Sequence, residues 1–181
     1  NNKRAKQGLA NLNKLMQNNI IKSPPFELVD KLINLYNQGE MPTVVKQAES
    51  LTEQYPRAFL VWNILGASAT QIGMLDKALN AYKTSILINP DYADTYLNMG
   101  VVLKIKGELD EAIKVYKKSI LLKPDYADAY SNIGNAFQAQ GKMDQAITAY
   151  RKAVSLKPNY AEAFNNMGIA LRFKGNLNQA L

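Results

Sequence analysis

Residues 91–100 (DYADTYLNMG) recur as 125–134 (DYADAYSNIG) and again as 159–168 (NYAEAFNNMG), each copy 34 residues after the last. A unit of that length is too short to bury an apolar face by itself, so a fixed period of this kind dictates stacked copies of one supersecondary element. Anchored on the glycines, the chain divides into 25–58, 59–92, 93–126 and 127–160, with a fifth unit, 161–181, cut short. Counting each unit's first residue as one, offset four is aromatic at Trp62, Tyr96, Tyr130 and Phe164. Offset eight is Gly66, Gly100, Gly134 and Gly168, and offset fifteen is Gly39, Gly73, Gly107, Gly141 and Gly175. Offset twenty is Ala78, Ala112, Ala146 and Ala180; offset twenty-four is Tyr82, Tyr116 and Tyr150; offset thirty-two is Pro56, Pro90, Pro124 and Pro158.

These offsets describe two helices and two turns per unit. Met99, Val102 and Leu103 follow helical spacing. Gly107 suits the left-handed position that ends a helix. Ala112, Ile113, Tyr116 and Ile120 form the apolar side of a second helix, and Pro124 closes it. The small Gly100 and Ala112 let the pair approach while Tyr96 and Tyr116 fill the space. The first unit departs, with Leu32 for the offset-eight glycine and Val44 for the alanine, as a degenerate terminal repeat. The pattern over 25–181 resembles the tetratricopeptide repeat. That resemblance implies an all-α fold, a right-handed superhelical solenoid of antiparallel helix pairs.

Composition narrows the chemistry. The chain has neither cysteine nor histidine, so thiol nucleophiles, histidine bases, disulfides and Cys/His zinc sites are all excluded. Gly134 and Gly141-Lys142 do not make a phosphate loop: the glycines are too far apart and Met143 stands where Ser or Thr is needed. No enzyme activity or cofactor is expected of this segment. Hydrophobic residues make up 47% of the chain, yet none form a run long enough to span a bilayer. No membrane partner is expected, and the absence of cysteine fits a cytoplasmic setting.

The net charge of +7 is unevenly placed. Lys3, Arg4, Lys6, Lys14 and Lys22 fall in residues 1–24, which hold no acid; the 17 remaining basic side chains nearly balance 15 acids. Leu9, Leu12, Leu15, Met16 and Ile20 predict a short basic helix over about 5–20, followed by a Ser23-Pro24-Pro25 linker. Residues 1–24 thus form an N-terminal extension to the array at 25–181. Lys83, Lys114, Lys117, Lys118, Arg151 and Lys152 belong to the outward side of the second helices. A nucleic acid is not the expected partner, since the body is nearly neutral.

The candidate site follows from the resemblance. In tetratricopeptide arrays the first helix of each pair lines the concave surface, with offsets two, five, six, nine and twelve facing inward. Offset six is Asn98, Asn132 and Asn166, similar to the asparagine ladder of the superhelical repeats in O-linked N-acetylglucosamine transferases. Ile64 takes that place one repeat earlier, with Asn63 one step away. A carboxamide carries an acceptor and two donors, so it can grip a peptide main chain whatever its side chains are. The other inward candidates are Asp94, Asp128 and Glu162 at offset two, Asn135, Asn165, Lys104, Gln138 and Arg172. The three acids also sit where a helix N-terminus favours negative charge. The expected partner is an extended peptide or disordered protein segment. A chaperone-type carboxylate clamp is not expected, because Asp128 and Glu162 stand where that clamp needs lysine.

Two alternatives stay open. Similar repeats are fused to glycosyl- and sulfotransferase domains, so the segment could recruit substrate for a catalytic domain beyond residue 181. It could also assemble as a homo-oligomer through its end faces, because Leu181 follows soon after Gln179-Ala180, early in an expected second helix with no polar cap behind it. The stronger expectation is a piece of a longer protein.

Overall fold

A computed structural model describes residues 23–180; the basic segment expected over 5–20 lies outside the described residues. Within them the chain forms α1 (Phe26–Asn37), α2 (Met41–Gln54), α3 (Phe59–Gln71), α4 (Leu75–Ile88), α5 (Ala93–Ile105), α6 (Leu109–Leu122), α7 (Ala127–Ala139), α8 (Met143–Leu156) and α9 (Ala161–Ala180). No strand occurs among the described residues. The helices pair as α1–α2, α3–α4, α5–α6 and α7–α8, and each touches only helices one or two places along the chain. That is the all-α superhelical repeat array the sequence implied, quasi-one-dimensional in its contacts.

The turn inside each pair is made by backbone stereochemistry. Gly39, Gly73, Gly107 and Gly141 have φ of 82°, 75°, 79° and 74°, a region costly for any residue with a Cβ. At Gly107 the amide donates to Lys104 O (3.0 Å) and the amide of Glu108 donates to Leu103 O (2.9 Å), closing the last carbonyls of α5. Gly175 differs. It lies inside the continuous helix α9 and does not take the left-handed conformation. The sequence predicted a turn there and a new helix at Gln179-Ala180. Glycine inside a helix costs only about 1 kcal/mol, so the helix runs on.

Each pair is locked by one tyrosine in one glycine hollow. Tyr82, Tyr116 and Tyr150 are at most 1% exposed. A Cβ on Gly66 would meet the Tyr82 ring at 2.6 Å, and one on Gly134 would meet Tyr150 at 2.5 Å; Gly100 lies as close to Tyr116. The first repeat inverts the sizes, with Leu32 and Ala48 both at 0% exposure. Either combination fills the same space, which close packing demands. Repeats are stitched by polar contacts as well. Trp62 Nε1 donates to Pro56 O (2.9 Å) and Tyr96 OH to Pro90 O (3.0 Å). Lys106 pairs with Asp76 at 2.6 Å, Gln140 donates to Asp110 at 2.8 Å, and Lys174 pairs with Asp144, so one contact recurs at three successive steps; the first joint has Pro42 and Ile72 in those places. At α9 the pattern is more open. Phe164 and Leu171 of α9 are 45% and 43% exposed, and nothing lies within 4 Å of where a Cβ of Gly168 would sit.

Candidate peptide-binding face

The first helices leave one stripe uncovered. In α5 the residues Thr95, Tyr96, Gly100, Val102 and Leu103 are buried, whereas Asp94, Asn98, Val101 and Ile105 are not. Steps of four, three and four residues place those four on one side of the helix. The same stripe in α7 is Asp128, Asn132, Asn135 and Ala139, and in α9 it is Glu162, Asn166, Ile169 and Phe173. The asparagines at offset six therefore sit mid-stripe in consecutive helices, all partly buried. Among the described residues no side-chain hydrogen bond engages Asn98 or Asn132.

Asn166 is different, because its Nδ2 donates to Asn135 Oδ1 at 3.0 Å. The Tyr150 hydroxyl donates to the same Asn135 Oδ1 (2.7 Å) and reaches Gln138 Oε1 at 2.9 Å. Asn135, Gln138 and Asn166, with Met143 and Phe173, line a cavity of about 370 Å³ between α7 and α9. Burial first, then the charge of Glu162, pushes the Tyr150 hydroxyl up to about 12. One repeat earlier Val101 and Lys104 replace the two amides, and the Tyr116 hydroxyl is buried with no partner. The consequence is measurable. Tyr150→Phe should cost about 0.5–1.5 kcal/mol in chemical denaturation. Tyr116→Phe should cost nothing or stabilise, since it removes an unsatisfied buried group; equal losses at both sites would contradict these hydrogen-bond assignments.

Of the acids at offset two, Asp94 has a hydrogen-bond partner. Asp94 Oδ1 accepts from Tyr126 OH at 2.6 Å, and burial together with that bond pushes the Tyr126 hydroxyl up. One repeat on, burial and then the Asp128 carboxylate raise the Tyr160 hydroxyl to about 12. Lys123 and Lys157 cover these rings at 4.2 and 4.5 Å. Asp94 thus ties its helix to the loop that leads into the next repeat. Glu162, Asn165 and Arg172 are exposed on α9, Lys104 is partly buried on α5, and Asn63 Oδ1 is buried without a partner.

Two groups of residues escaped the sequence reading. The tyrosines Tyr92, Tyr126 and Tyr160 stood inside the repeated decapeptides, and their constancy two places before the acids was the available signal. Ile105 (54% exposed) and Phe173 (51% exposed) end the open stripe with large apolar side chains. Only the accessible surface reveals them, because an apolar residue before a turn ordinarily reads as core. Among the described residues no acidic cluster could hold a metal ion, and no helix is long and apolar enough to cross a membrane.

A family model described as "TPR repeat" matches residues 66–105, 102–141 and 134–175. The chain is similar to the crystal structure of MamA, at 26% identity and TM-score 0.73, over 78% of this chain and 83% of that one. It is similar to TTC0263, a thermophilic TPR protein in Thermus thermophilus, at 22% identity and TM-score 0.71, over 80% and 79% of the two chains. It is also similar to the first TPR of Spaghetti (RPAP3) bound to HSP90 peptide SRMEEVD, at 23% identity and TM-score 0.63, over 65% and 93%. No curated protein sequence gives a significant match.

Proposed function

The chain belongs to the tetratricopeptide-repeat family, and on that premise we propose that it is a protein-interaction module that takes an extended peptide along the open stripe of its first helices. The observation that carries this reading is the state of Asn98 and Asn132. Both are partly exposed, neighbouring in the stack, and without a side-chain partner among the described residues. Helices packed about 8–10 Å apart present such amides to every third residue of a chain that advances about 3.3–3.6 Å per residue. Each neutral hydrogen bond nets about 0.5–1.5 kcal/mol against an association cost of about 4–15 kcal/mol. The exposed Ile105 and Phe173 supply apolar contact that the amides lack. Asn166, already bonded to Asn135, makes a weaker rung than the other two.

The likeness to a domain holding an HSP90 peptide supports an extended ligand. The acids Asp128 and Glu162 argue against one that ends in clustered carboxylates. The direct test is selection of extended peptides on the whole chain, followed by titration of the best binder against Asn98→Ala/Asn132→Ala. Loss of about 1–3 kcal/mol, roughly five- to 150-fold in Kd, is expected with an unchanged melting temperature. Unaltered affinity in that variant would remove the amides from the binding mode.

A further inference from the structure

The second helices carry a separate groove. It runs between α6 and α8, has a volume of about 680 Å³, and is floored by Tyr130, Ile133 and Phe137 of α7. Tyr130 is two residues from both Asp128 and Asn132, and two residues turn a helix by about 200°, so the groove lies on the opposite side of α7 from the asparagine row. Its walls are Ile120 and Ala149, and Lys117 and Lys152 stand at its rim. Ala149 lines the groove; the equivalent residue of the preceding repeat is the larger Val115. A groove of about 810 Å³ also forms between α2 and α4, where Ala81 holds that place.

We propose that the α6–α8 groove is a second docking site, and that its occupant is a short acidic amphipathic segment of a partner protein. Two or three apolar side chains would cover the Tyr130–Phe137 floor, and carboxylates would face Lys117 and Lys152. Charge complementarity selects this occupant. Lys117 and Lys152 make no ion pair among the described residues, whereas Asp144, the one acid lining the groove, is taken by Lys174. The chain's own residues 1–24 are basic and have the wrong sign. An acyl chain would gain nothing from the wall residues Gln145 and Thr148, which can hydrogen-bond a peptide main chain. The volume falls within the range of about 300–1,000 Å³ usual for ligand sites. The α2–α4 groove is lined by Glu49 and Glu53, so it should refuse the same segment.

The test uses the whole 181-residue chain and a fluorescein-labelled dodecapeptide carrying two phenylalanines, two leucines and four glutamates, read by fluorescence anisotropy. Saturable binding is expected, weakened about tenfold or more by Ala149→Val and by Lys117→Glu/Lys152→Glu. It should be unchanged by Asn98→Ala/Asn132→Ala, which separates this site from the inner row. The same peptide with lysines for glutamates should not bind. Ala149→Val places at α8 the side chain already present at Val115, and a thermal melt verifies its fold; the lysine reversal, on the surface, decides independently. Absence of saturable binding, or binding indifferent to Ala149→Val, would overturn the proposal. Sodium dodecanoate binding in place of the peptide, with the same sensitivity to both variants, would overturn it in favour of a lipid.

Discussion

Tyr116→Ala should lower the unfolding free energy by about 3–5 kcal/mol, as for other buried aromatics truncated to alanine. The ring is wholly buried and fills the hollow at Gly100 between α5 and α6. Its hydroxyl has no partner, so the loss is one of volume alone. Contacts run only between neighbouring helices, so a cavity here weakens the joint in the middle of the array. Gly100→Leu alone should also destabilise, because its side chain would have to displace the ring. The two together should recover much of the loss, since the first repeat packs Leu32 against Ala48 in the same places. Urea denaturation of the four proteins measures this. A double variant no more stable than the sum of its parts would show that the size exchange is not what specifies the joint.

Alkaline unfolding should be steep. Tyr82, Tyr92, Tyr96, Tyr116, Tyr126, Tyr150 and Tyr160 all hold their protons above the ordinary 10.0, with burial the leading cause in each. The unfolded chain loses its phenolic protons near 10.0 while the folded chain retains them. Below that pH the neutral rings contribute their full stability. As pH rises from 10 toward the folded values, the unfolded state binds fewer protons, and stability falls. For Tyr150, raised to about 12, the contribution lost by pH 12 is about 2 kcal/mol. Several such groups titrating over one range exceed the few kcal/mol that separate a small array from unfolding. Urea midpoints at about pH 9 and about pH 12 measure the effect. A midpoint that does not move would refute burial as the cause, and Tyr116→Phe should reduce the slope.

The sequence by itself determined the scaffold. Gly107 and Gly141 turn the chain because a Cβ there is costly, Pro124 ends a helix because it lacks an amide hydrogen, and Gly100 with Tyr116 encodes one hollow and one knob. These are local rules repeated at 34-residue intervals, so every copy restates them. The tertiary structure decided which polar groups remain free. Asn135 and Asn166 resemble Asn98 and Asn132 in the sequence, yet they bond to each other, and the Tyr150 hydroxyl takes Asn135 as well. Asp94 reads as a helix-start acid, but it also holds Tyr126. Gly175 repeats the turn glycine, yet it lies within α9. Ala149 lines a groove together with Tyr130 and Phe137 of a different helix. These outcomes depend on neighbours elsewhere in the stack, and periodicity carries no information about contacts that differ from one copy to the next.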